Sequence, residues 1–145
     1  MRILGNLFIQ EWNFVVSNSP KTKQNGRRII DIMTFFIENN LDKNIDLNEL
    51  THVADVSPST VTRLFKKHFS LTPIQFINQL RIKKAQKILA TTNQKMSAIA
   101  HQIGIPDPFY FSKIFKKYTG STPFAYRKRY SILGRENLNI ERLER

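Results

Sequence analysis

Two sets of cations recur fifty positions apart: Arg63, Lys66 and Lys67 in the first, Lys113, Lys116 and Lys117 in the second. Each set is threaded between apolar residues at helical spacing, Val61, Leu64 and Phe65 in one case and Phe111, Ile114, Phe115 and Tyr118 in the other. A 3.6-residue period gathers those apolar side chains on one face and leaves the opposite face polar and basic. The chemistry of such a face is recognition by charge and hydrogen bonding. Lysine and arginine pair with phosphate, and a guanidinium also matches the two acceptors on a guanine edge.

The charge is placed where these sets are. Residues 57 to 130 hold 14 Lys and Arg against a single acid, Asp107, while the flanking stretches are close to neutral, within a chain of 145 residues and net charge +12. That is the footprint of a polyanion binder, nucleic acid first. Catalysis has little to work with. His52, His68 and His101 are scattered, no Ser-His-Asp or paired-carboxylate arrangement accompanies them, and the absence of cysteine removes thiolate zinc sites and disulfides. We expect no enzyme, no metal and no cofactor. The cysteine-free composition suits a cytoplasmic protein. No apolar run reaches the roughly 18 residues of a membrane span, and the short Ile3–Ile9 run, interrupted by Asn6, does not read as a signal peptide. A membrane-surface helix would carry its charge on one continuous segment, whereas Pro and Gly divide this one.

The elements that position the cations follow from local signals. Residues 1–26 read as an N-terminal arm or linker, with Phe8, Ile9, Trp12 and Phe14 as weak apolar points. Arg27 to Asn39 reads as a helix with Ile30, Met33, Ile37 and Phe36 inward. Asp46 caps a short second helix, with Glu49 three residues on. Ser57-Pro58 opens the first cation-bearing helix, so the pair forms a helix-turn-helix. Thr72-Pro73 starts a long helix to about Ala90, whose Ile74, Ile77, Ile82, Ala85, Ile88 and Leu89 share one side while Phe76 and Leu80 face roughly the other. Two stripes suit a helix bridging two small cores. A second pair follows, Met96 to Ile103 and then Asp107-Pro108 opening the second cation-bearing helix, which Gly120 ends before Thr122-Pro123 begins another. Residues 131–145 form a charged tail. The expected fold class is all-α, about seven helices.

The duplicated pattern resembles the AraC/XylS-type transcription regulators. The residues that carry the resemblance are Leu50, Val56-Ser57, Val61 to Lys67, Leu71 to Pro73, Phe76-Ile77, Leu80-Arg81, Ala85 and Leu89 in the first half. In the second they are Ile99-Ala100, Gly104-Ile105, Tyr110 to Lys117, Gly120, Thr122-Pro123 and Tyr126-Arg127. The likeness covers roughly residues 27–130. It implies two helix-turn-helix units, about 27–71 and 94–130, joined by a linker helix at about 72–90. It further implies a sequence-specific regulator that binds double-stranded DNA, favours activation through RNA polymerase, and is able to act as a monomer on two neighbouring half-sites. Full-length members commonly carry an effector domain ahead of this one, and residues 1–26 are too short to be it. A nonspecific nucleic-acid binder, of RNA or as an architectural DNA protein, is the alternative reading.

On the first recognition helix the outward positions are Ser59, Thr60, Thr62 and Arg63, with Arg63 either a base reader or a phosphate clamp. On the second they are Phe109, Tyr110 and Lys113. Phe109 suits thymine methyls, and either aromatic alternatively joins the core. Lys66, Lys67, Lys116, Lys117, Arg127 and Arg129 are expected at phosphates, and the helix starts at Thr72 and Thr122 offer free N–H groups to the same partner. Asp55 stands at the turn position held by Gly104 in the second unit, and asks a non-glycine residue for a left-handed conformation.

Overall fold

The computed structural model describes residues 24–131, which contain seven helices and no strand. They are α1 (Gln24–Asn39), α2 (Leu47–Ala54), α3 (Pro58–Phe69), α4 (Pro73–Thr91), α5 (Met96–Gln102), α6 (Pro108–Thr119) and α7 (Pro123–Tyr130). The expectations for the N-terminal arm and the C-terminal tail fall almost wholly outside the described residues.

Side-chain caps set the helix starts. Asp46 accepts from the Glu49 amide at 2.9 Å, Ser57 from Thr60 at 3.3 Å, Asp107 from Phe109 at 2.9 Å and Thr122 from Ala125 at 3.2 Å. Each satisfies a donor that the first turn leaves without an intrahelical partner. Proline follows at the first helical position of α3, α6 and α7. Helix α5 is entered from Lys95 with no side-chain cap bond.

Left-handed residues end the elements, at matching places in the two halves. Asp55 (φ 51°) corresponds to Gly104 (φ 75°), and Ser70 (φ 56°) to Gly120 (φ 81°). A Cβ strains that conformation by about 1–2 kcal/mol, partly offset by the extra chain entropy glycine gives up on folding. Asp55→Gly and Ser70→Gly are therefore each expected to stabilise the protein by about 0.5 kcal/mol, raising the melting temperature by about 2–4 °C. The larger gain belongs at Ser70, because aspartate tolerates this region better than serine. A lower melting temperature in either variant would count against the turn.

The helices divide between two compact units. One holds the described residues up to Asn39 together with Ile45–Pro73, and the other holds Asn40–Asn44 and the described residues from Ile74 on. In the first unit α1 packs on both α2 and α3, and Ile30, Ile32, Met33, Ile37, Leu50, Ala54, Val61, Leu64 and Phe65 are buried. In the second, Ile82, Ala85 and Leu89 of α4 join Ile99, Ala100, Ile103, Ile105, Phe111, Ile114 and Phe115 in one cluster, with Tyr118 and Tyr126 packed against it. The Phe111, Phe115 and Tyr126 rings meet edge to face, with centroids 5.7 and 5.4 Å apart, the favourable aromatic arrangement.

Three details differ from the periodicity. Helix α1 begins at Gln24 rather than Arg27, and Ile32 is buried beside the expected inward set. Ile74, expected on the buried stripe of α4, is 51% exposed. It is the second residue of its helix and lies off the face shared by Pro73 and Ile77, which are buried. Its counterpart Phe124, second in α7, is exposed beside the buried Pro123 in the same way.

Candidate nucleic-acid interface

Burial of Val61, Leu64 and Phe65 fixes the rotation of α3 and turns Ser59, Thr62, Arg63, Lys66 and Lys67 to solvent. Thr60 is half-buried. Its hydroxyl lies 2.9 Å from Ser57 Oγ, and the Ser59 hydroxyl lies 3.0 Å from the same oxygen. The first turn of α3 is thus a hydroxyl cluster built round its cap. A hydroxyl combines one donor with two lone pairs, so these groups keep capacity for a further partner.

Helix α6 is rotated in the same way by Phe111, Ile114 and Phe115, and exposes Phe109, Tyr110, Lys113, Lys116 and Lys117. Phe109 is 87% exposed and Tyr110 47%, so neither aromatic belongs to the core. Tyr110 also acts on its surroundings. Burial lowers the pKa of the Arg81 guanidinium while Tyr110 pulls it back up, and burial, then Tyr110, raises the pKa of Tyr118.

The remaining cations are not equivalent. Lys128 and Arg129 are exposed, with the Arg129 guanidinium 5.4 Å from the Tyr130 ring centroid. Arg127 is half-buried, and its Nη2 donates to the Gln94 carbonyl at 2.6 Å, while its Nε is buried without a partner. This arginine anchors the segment before α5 to α7, a duty that nothing in its cluster of basic neighbours suggests. Thr122 is occupied as the cap of α7, and Thr72 directly precedes the first residue of α4.

Two features were beyond sequence reasoning. Arg81, visible only as part of a pattern, donates from Nε to the Leu41 carbonyl at 3.1 Å and from Nη2 to the Lys43 carbonyl at 2.7 Å. Arg27 and His68 line one cavity with Arg63 and Lys67. Both depend on contacts between residues far apart in the chain. Among the described residues no cluster of three or more His, Cys, Asp or Glu is placed to hold a metal, and no helix is long and apolar enough to cross a membrane.

What the arrangement can do is bind a polyanion along two capped helices of the same design. One presents hydroxyls and a guanidinium, the other two aromatics and an ammonium group.

Comparison with known proteins agrees in fold and extent. A family model described as a helix-turn-helix domain matches residues 50–129. The raffinose operon transcriptional regulatory protein RafR of Pediococcus pentosaceus is 28% identical over 130 residues, 90% of this chain and 47% of its own. Among solved structures, the C-terminal domain of the two-component response regulator yesN from Fusobacterium nucleatum is 34% identical, with a TM-score of 0.64 over 67% of this chain and 95% of that one. The DNA-binding domain of AdpA, a global transcriptional factor solved with a target DNA, is 26% identical, with a TM-score of 0.65 over 70% of this chain and 91% of that one. The chain spans about half the length, or less, of the curated relatives it matches first.

Proposed function

We propose a mechanism from one premise: this chain belongs to the AraC-type helix-turn-helix family. It acts as a sequence-specific DNA-binding regulator, with α3 and α6 each reading one half-site from the major groove. The observation that carries this is the pair of exposed, side-chain-capped helices with cations at matching places, Arg63, Lys66 and Lys67 on α3 and Lys113, Lys116 and Lys117 on α6. A major groove admits one α-helix and lets three or four side chains reach base edges.

Arg63 reads a guanine through both of its acceptors, supported by hydrogen bonds from Ser59, Thr60 and Thr62. Phe109 packs on thymine methyls, while Tyr110 and Lys113 supply the polar contacts of the second half-site. Lys66, Lys67, Lys116, Lys117 and Arg129 hold phosphates, and the helix starts at Thr72 and Thr122 add backbone N–H groups. Arg127 is left out of this set because its guanidinium is committed to Gln94. The two helices differ in every base-facing residue, so the site they read is not a palindrome. We further propose that the chain binds as a monomer in the cytoplasm and activates transcription through RNA polymerase.

The test is selection of bound duplexes from a random library at two salt concentrations. Two short motifs about one helical turn apart are expected. Arg63→Ala should erase the first and Lys113→Ala the second, each with a loss of about 1–3 kcal/mol of base discrimination, roughly 5- to 150-fold. Salt-sensitive binding with no enriched motif would leave only a nonspecific nucleic-acid binder, and no binding at low salt would end the regulator reading.

A further inference from the structure

The first unit carries a cavity of about 390 Å³ that base reading does not account for. Its walls are Gly26 and Arg27 from the first turn of α1 and Arg63, Leu64, Lys67 and His68 from α3. Arg63 and Lys67 stand one helical turn apart on the same face of α3, and Arg27 meets them from a separate helix. Among the described residues no carboxylate lines it. Three fixed positive charges directed at one space repel each other, and an anion placed between them turns that repulsion into attraction. The volume falls within the range of small-molecule sites and leaves room for a phosphate together with the group that bears it.

We propose that this cavity is a phosphate site in which Arg27 and His68 join Lys67 and Arg63. Two sources offer that chemistry: a phosphodiester of a DNA strand passing α3, or a free phosphomonoester. The first rests on the DNA-reading function above. The second does not, and it carries a consequence, because a free phosphate bound here draws on the same Arg63 guanidinium that reads the first half-site.

The test uses wild type, Arg27→Gln and Arg27→Lys. Arg27 is exposed and has no part in the base-reading set, so all three proteins should melt alike. In one arm, inorganic phosphate or glycerol 3-phosphate replaces chloride at constant ionic strength, and the amide resonances of Gly26, Arg27, Lys67 and His68 are followed. In the other, DNA affinity is measured against salt. Saturable shifts that weaken at least about fivefold in Arg27→Gln and recover in Arg27→Lys support the site with a free ligand. A salt slope flattened by about 0.9 in Arg27→Gln alone, with no saturable shifts, supports it with DNA as the source. Shifts indistinguishable from those of chloride, together with an unchanged salt slope, overturn the site. Saturable phosphate binding by a chain that binds no DNA keeps the site and removes the DNA-reading function.

Discussion

Gly104→Ala is expected to lower the melting temperature by about 15 °C or more, while Gly120→Ala lowers it by only about 4–8 °C. Both glycines sit in the left-handed region, at φ 75° and 81°, so the conformational strain of an added Cβ is nearly the same, about 1–2 kcal/mol. Their surroundings separate them. A Cβ on Gly104 would lie 2.1 Å from the Leu41 carbonyl oxygen and 2.8 Å from Arg81 Nη2, whereas one on Gly120 meets nothing within 4 Å. The Leu41 oxygen is a backbone atom and is held by Arg81 Nε at 3.1 Å, so it cannot step aside without breaking that bond. A half-buried guanidinium left without its acceptor adds a desolvation penalty of about 1–3 kcal/mol to the strain. The difference between the two variants therefore measures the close approach itself. Equal losses at both positions would mean that Arg81 does not hold the 40–44 segment as described, while the left-handed turns would stand.

That contrast also marks what was legible in the sequence. Capping is local: Asp46, Ser57, Asp107 and Thr122 announce helix starts because each bonds an amide two or three residues away. The faces of α3 and α6 are local as well, set by the spacing of Val61, Leu64 and Phe65 and of Phe111, Ile114 and Phe115. Duplication sharpened both, because each signal could be checked against its copy. Even the strain at Asp55 was visible, since Gly104 stands at the same place in the second copy. Contacts made at long range were not. Arg81 finds its carbonyls about forty residues upstream, and Arg127 finds Gln94 at a separation of thirty-three. In a segment as basic as this one, a cation that braces the fold and a cation that faces solvent have the same spelling. Only burial separates Arg127 from Arg129. The same holds for Phe109, whose exposure followed from helix rotation once the core of α6 was in place.

The second large effect is on affinity. A fourfold rise in salt, from 50 to 200 mM, is expected to weaken binding to the selected duplex about 500-fold. Each phosphate neutralised releases condensed counterions, and log affinity falls with log salt by about 0.9 for each one. The proposed phosphate set is Lys66, Lys67, Lys116, Lys117 and Arg129, all exposed, which gives a slope of about −4.5. The slope can be divided between the helices. Lys66→Ala with Lys67→Ala should flatten it by about 1.8, as should Lys116→Ala with Lys117→Ala, with the enriched motif unchanged in both cases. Arg127→Ala supplies the contrast. It should leave the slope in place while lowering the melting temperature, because its hydrogen bond to Gln94 is internal. Isothermal DNA titrations across a salt series, beside melting curves of the same proteins, read all of these at once. If the Arg127 variant flattened the slope as much as a lysine variant does, the arginine would have to leave Gln94 for the DNA backbone. If neither lysine pair moved the slope, the exposed faces of α3 and α6 would not be the surfaces that meet phosphate.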